Sequence, residues 1–313
     1  MSEMSKRVLF AGTPDFALPS LQALVDAGYN VVGVLTQPDK EGARKKMTPP
    51  PTKVLAEKLG IPVLQFAKVR TEGVEAIRSL APDVIVTAAY GQIISQEIID
   101  IPPYGVINVH GSLLPKLRGA CPIQQAIIDG HEETGITIMR TALKVDSGDM
   151  ILQYKTKIGE KETAGELFDR MSVMGAFALI EALKKVFDGT AVYQPQVHED
   201  ATFCGMMKKE NGRIDWSKRV WEIDCHVRGM NPWPSAFTAY QGKNLKIWQV
   251  EKLNDLVEAP CGSIVRASAK EGVAVQAKDG QLLVQQLQAE GGRRMSAKEY
   301  LAGHTLNVGE VLE

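Results

Sequence analysis

The feature that most constrains this chain is an alternation: through its first half, short apolar, β-branched runs take turns with segments of helical period. Val8-Leu9-Phe10-Ala11 reads as a buried strand, and Leu18 to Ala27 as a helix stopped by Gly28. Val31 to Leu35 is the next strand, Thr52 to Leu59 a helix closed by Gly60, and Pro62 to Gln65 a short strand. Glu72 to Leu80 is helical, and Val84 to Ala88 and Val106 to Val109 are strands. Strands that are apolar on both faces need cover on both, and crossover helices supply it in a parallel sheet. The pattern predicts an α/β fold with a mostly parallel sheet and ligands beyond the carboxyl ends of its strands.

Two more strands are expected at Gly135 to Arg140 and Met150 to Lys157, then a long helix from Ala164 to Phe187. Leu167, Met171, Met174 and Ala178 share one face of that helix and read as core packing. Character changes near Asp188-Gly189-Thr190, and residues 191–207 are polar without periodicity, the pattern of a linker. Beyond lies a helix from Ser217 to Met230, stopped by Asn231-Pro232-Trp233-Pro234. Short strands follow, separated by turns at Gln241-Gly242, Lys270-Glu271-Gly272 and Asp279-Gly280, the spacing of a small β-barrel. The expected organisation is an α/β domain over 1–190, a linker over 191–207 and a barrel domain over 208–313.

Composition narrows the function. With 36 basic against 37 acidic residues, no global positive charge points to nucleic acid. A local patch remains in Lys40-Glu41-Gly42-Ala43-Arg44-Lys45-Lys46, which by itself reads as a solvated loop. The four cysteines form no Cys-x-x-Cys pair, so neither a zinc knuckle nor a redox dithiol is indicated, and free thiols in a reducing compartment are expected. Met1 to Arg7 lacks a signal-peptide core, and Val8 to Ala11 is too short to span a membrane, so a cytoplasmic protein is expected. His131, His198, His226 and His304 are scattered, and no metal site is expected.

The first strand leads into Gly12-Thr13-Pro14-Asp15-Phe16-Ala17, where a dinucleotide-binding protein would place G-x-G-x-x-G. The second and third glycines are missing, which argues against a nicotinamide enzyme and for a plain strand-to-helix turn. The richest stretch is Ile107 to Gly119. Strand side chains alternate, so Asn108 and His110 point one way and Val109 the other. A lone histidine here reads as a satisfied core residue. An amide and an imidazole in phase at a strand end read differently: together they donate to a developing oxyanion, and imidazole moves protons near neutral pH. Asp146, beside Ser147-Gly148-Asp149, reads by itself as a turn aspartate, Arg118 as a loop arginine, and Cys121 as an inert thiol.

The run SLLPKLRGACPIQQAI, preceded by INVHG, resembles the signature of folate-dependent formyltransferases. The likeness extends in order through FAGTPDFA, TQPD, AAYGQI, ETGITIM, VDSGDMIL, GRIDW and NPWP, over both halves of the chain. The resemblance implies a Rossmann-like formyltransferase domain followed by an OB-like barrel. It implies a catalytic trio of Asn108, His110 and Asp146, and a folate-contacting loop at Ser112, Leu113, Leu114 and Pro115. The donor it implies is 10-formyltetrahydrofolate, and the acceptor the α-amine of methionine esterified to initiator tRNA. The loop with Arg44, Lys45 and Lys46 would then meet the acceptor end of the tRNA, and the protein would act as a monomer. Lys116-Leu117 departs from the family's more usual arginine-aromatic pair. Two other readings stand beside this one: a formyltransferase for an amino sugar or another small amine, and a non-catalytic RNA-binding barrel protein.

Overall fold

The computed structural model describes residues 6–41, 47–253, 255 and 258–313. The chain divides into two compact units. The first comprises the residues up to Pro122, Glu133–Lys157 and Phe168–Gly205, and the second Ile123–Glu132, Ile158–Leu167 and Met206–Glu313.

The first unit is built on a seven-stranded sheet: β1 (Arg7–Gly12), β2 (Asn30–Thr36), β3 (Val63–Gln65), β4 (Val84–Ala88), β5 (Val106–His110), β6 (Glu133–Arg140) and β7 (Met150–Lys157). The spatial order is β7-β6-β5-β4-β1-β2-β3. The strands from β5 to β3 are parallel, and β6 and β7 are added antiparallel. The crossover pattern read from the sequence is therefore present. Helix α1 (Leu18–Asp26) turns Leu21 and Leu24 into the core. It ends where Gly28, at φ +79°, lets Tyr29 N–H return to the Leu24 carbonyl. Helix α2 (Pro51–Lys58) starts on a proline, which loses nothing at a first turn. The single helix expected over 72–80 is two short ones, Val69–Glu72 and Val74–Ser79, meeting at Gly73.

Helix α3 (Ala164–Phe187) has the bounds read from the sequence. A Cβ at its Gly175 would lie 2.9 Å from Val109 Cγ1, so the helix backbone rests on the Val109 face of β5. Asn108 and His110 accordingly occupy the other face.

The segment expected as a linker carries structure of its own. Gln194 and Met150 exchange backbone hydrogen bonds, and Phe203–Cys204 pairs in parallel with Arg118–Gly119. Residues up to Gly205 belong to the first unit. Polarity concealed this, because these residues pair through their backbones and periodicity does not record that.

The second unit is an antiparallel sheet of β8 (Ala236–Tyr240), β9 (Lys243–Leu253), β10 (Ile264–Ser268), β11 (Gly272–Gln276) and β12 (Gln281–Ala289), in the order β8-β9-β12-β11-β10. Met295–Ser296 adds to β12. Helix α4 (Val220–Gly229) contributes Val220, Ile223 and Val227 to one core with Ile214, Leu245, Ile264 and Leu287. Trp216 of the GRIDW run is buried there, its indole N–H donating to Thr238 Oγ1 at 3.1 Å. Trp221 and Trp233 by contrast stand at 43% and 52% exposure. Among the described residues no helix is long and apolar enough to cross a membrane.

Candidate active site

The carboxyl end of β5 carries the pair expected from alternation. His110 is buried and Asn108 half-buried. The register places Asn108 beside Thr87 of β4 on one side and Met139 of β6 on the other, and His110 beside Thr137. Thr87 Oγ1 donates to Asn108 Oδ1 at 2.8 Å.

Both ring nitrogens of His110 face acceptors. Nε2 lies 3.0 Å from the Leu117 carbonyl, which can only accept, so Nε2 carries a proton. Nδ1 lies 3.7 Å from Asp146 Oδ2. The structure thus brings Asp146 to the pair, although the sequence around it reads as an ordinary turn.

Asp146 is set from several sides. Its φ is +47°, in the left-handed region that aspartate tolerates better than most residues. Its Oδ2 also accepts the Gly119 N–H at 2.8 Å. Gly119 reaches that position only as glycine: its φ is +119°, and a Cβ would lie 2.1 Å from the Cys204 carbonyl oxygen. Arg118 is a buried side chain and not a solvated one. Its Nε and Nη2 donate to Gln196 Oε1 at 3.1 and 2.7 Å, and Nη2 also meets His198 Nδ1 at 2.9 Å. Sequence reasoning passed over Gln196, because a glutamine in a polar stretch carries no signal of burial.

The loop after β5 is fastened to the sheet. Thr137 Oγ1 donates to the Ser112 carbonyl at 2.6 Å and accepts the Leu114 N–H at 3.1 Å. Gln153 Nε2 donates to the Leu114 carbonyl at 2.9 Å. Ser112 and Leu114 are buried, and the Ser112 hydroxyl turns back to the Lys116 carbonyl. Leu113 and Pro115 are half-buried. Leu113 packs over Gly135, where a Cβ would fall 2.5 Å from Leu113 Cδ2.

A second polar cluster lies at the carboxyl ends of β2 and β3. Asp39 meets Lys53 and Gln65, and Gln65 Nε2 donates to the Gln37 carbonyl at 2.8 Å. The Gln65 amide, then Lys53, hold the Asp39 carboxyl below its ordinary range. Gln37 and Thr13 both donate to the Tyr90 carbonyl. Burial pushes the Tyr90 phenol up to about 12, so it stays protonated at neutral pH. From Asp39 the chain enters a ribbon, Lys40–Glu41 paired antiparallel with Met47–Thr48. Arg44, Lys45 and Lys46 lie outside the described residues.

A family model described as formyl transferase matches residues 6–183, and one described as formyl transferase, C-terminal domain, matches residues 206–305. This chain belongs to the formyl transferase family. Formyl transferase relatives match it from end to end. The methionyl-tRNA formyltransferase of Acetivibrio thermocellus is 47% identical over 308 residues, which cover 98% of this chain and 99% of the relative. That of Bacillus subtilis is 46% identical over 309 residues, 98% of this chain and 97% of its own. The crystal structure of an N-formyltransferase from Helicobacter canadensis, in complex with folinic acid and dTDP-3-aminofucose, has a TM-score of 0.66 at 18% identity, covering 90% of this chain and 98% of that one. At that identity the likeness is one of fold.

Proposed function

We propose that this formyl transferase moves the formyl group of 10-formyltetrahydrofolate to the α-amine of methionine esterified to initiator tRNA, in the cytoplasm. The observation that carries the chemistry is the trio: Asn108 and His110 in phase at a strand end, with Asp146 Oδ2 3.7 Å from His110 Nδ1. The acceptor is argued from the full-length likeness to methionyl-tRNA formyltransferases, which includes the second unit.

In this reading the neutral amine attacks the formyl carbon. A nitrogen–carbon bond forms and the carbonyl pair moves to oxygen. Asn108 Nδ2 donates to that oxygen, because Thr87 already occupies the other end of the amide. The His110 Nε2–H is engaged by the Leu117 carbonyl, so the substrate oxygen shares or displaces that contact to reach it. Collapse breaks the bond to N10, and the proton lost by the amine is delivered to N10. His110 is the group placed to carry it, with the Asp146 carboxylate beside its Nδ1. The fastened loop at Ser112, Leu113, Leu114 and Pro115 supports the folate, with Leu113 and Pro115 its accessible side chains. Arg44, Lys45 and Lys46, which fall between Glu41 and Met47 in the sequence, contact tRNA phosphate.

The test is formyl incorporation by the purified chain from 10-formyltetrahydrofolate. The acceptors compared are methionyl initiator tRNA, the same tRNA uncharged, free methionine and a nucleotide-linked amino sugar. Transfer to the charged tRNA above the others is expected. Preference for the amino sugar overturns the acceptor, and no transfer to any amine overturns the enzyme.

A further inference from the structure

Gln196 lies in a stretch whose polarity suggests a linker, yet it is only 6% exposed. Its amide joins two segments that are distant in sequence. On one side Oε1 accepts from Nε and Nη2 of Arg118, itself buried. A guanidinium only donates, so the orientation of the amide is set and its N–H groups face away from Arg118. There Nε2 donates to the Asp146 carbonyl at 2.9 Å and to the Gly148 carbonyl at 2.7 Å. Arg118 leads directly to Gly119, whose N–H holds Asp146 Oδ2. Arg118, Gly119, Asp146 and Gln196 therefore close a ring around the carboxylate that faces His110.

We infer that Gln196 is a positioning residue for formyl transfer, setting through the backbone of Asp146 and Gly148 where the Asp146 carboxylate meets His110. The inference rests on the reading that Asp146 and His110 serve that reaction. Asp146 needs such a hold, because its left-handed backbone is a conformation that persists only when its surroundings impose it. Gly148 allows the tight path, since a Cβ there would lie 1.8 Å from the Arg140 carbonyl oxygen. One amide takes two carbonyls of the turn from one side, and the Gly119 N–H takes the carboxylate from the other.

The competing role is structural: Gln196 would merely satisfy a buried guanidinium. Gln196→Glu separates the two. A carboxylate strengthens the contact to Arg118, but it removes the donors to Asp146 and Gly148 and sets oxygen against two carbonyl oxygens. The experiment is steady-state formyl transfer from 10-formyltetrahydrofolate to methionyl-tRNA by the full chain, as wild type, Gln196→Glu, Asp146→Asn and the double variant. Gln196→Glu should lower kcat by about 10- to 100-fold, the scale of a misplaced group, with both KM values held within about twofold. In the Asp146→Asn background it should change kcat by less than about twofold, because the carboxylate it positions is gone. Wild-type kcat in Gln196→Glu, or losses that multiply in the double variant, overturn the inference. If Gln196→Glu does not fold, Gln196→Asn carries the same comparison, since its shorter amide cannot span both partners. A wild-type chain that transfers no formyl group, or Asp146→Asn at full rate, overturns the underlying reading instead, and so is told apart from failure at Gln196 alone.

Discussion

The Thr87 hydroxyl donates to Asn108 Oδ1 across 2.8 Å, between residues that sit side by side on β4 and β5. With Oδ1 taken by that hydroxyl, Asn108 has its Nδ2 hydrogens left to give, and an oxyanion needs that end. Thr87→Val keeps the branched shape and removes the hydroxyl. The expected result is a fall in kcat of about two- to tenfold, the worth of one neutral hydrogen bond, with the KM for tRNA unchanged. Unchanged kcat would show that the amide is oriented by other means.

Gly119→Ala should damage both fold and activity. The left-handed φ and the Cβ contact of 2.1 Å with the Cys204 carbonyl force the Arg118–Gly119 segment away from Phe203–Cys204. That movement also takes the Gly119 N–H from Asp146. A loss of about 1–3 kcal/mol in a denaturant melt is expected for the strained backbone alone, together with lower kcat. A variant with unchanged stability and kcat would contradict the placement of this segment.

The second unit contains a pH-dependent element. His226, on α4, has its pKa lowered from 6.5 by burial, partly offset by the contact to the Gly212 carbonyl. A folded-state pKa below the unfolded one means that the unfolded chain binds the proton more readily. The contribution is therefore full above about pH 6.5 and is lost as pH falls below it toward the folded value. His226→Gln should flatten the dependence of stability on pH between 7 and 5, by at most about 1.4 kcal/mol per pH unit. Urea melts of both proteins across that range check it, and identical slopes would contradict it.

Replacing Arg44, Lys45 and Lys46 together by alanine should raise the KM for methionyl-tRNA and weaken its salt dependence, while the KM for the folate stays put. An unchanged salt slope would remove tRNA phosphate as the partner of these three side chains.

Much of the fold was legible because apolar period records burial. The strands Val84–Ala88 and Met150–Lys157 and the helix Ala164–Phe187 have the bounds that their side chains indicate. The Asn108–His110 pair was legible for the same reason, since alternation assigns faces. What period does not record was missed. Gln196 and Arg118 are buried by hydrogen bonding to each other, and polar residues in a polar stretch look the same whether paired or solvated. Thr87 passed as one more β-branched strand residue, because its hydroxyl matters only once Asn108 lies beside it. Asp146 came in only through the family resemblance, because its approach to His110 and to Gly119 joins segments distant in sequence that no local pattern contains.

The central claim is that Asn108, oriented by Thr87, gives its hydrogens to the oxygen of the tetrahedral intermediate. Single-turnover transfer from 10-formyltetrahydrofolate to methionyl-tRNA by Asn108→Ala tests it most directly. The account predicts a rate about 100- to 1000-fold below wild type, with tRNA and folate binding preserved, the loss that follows removal of one oxyanion donor. A rate near that of the wild type would contradict it.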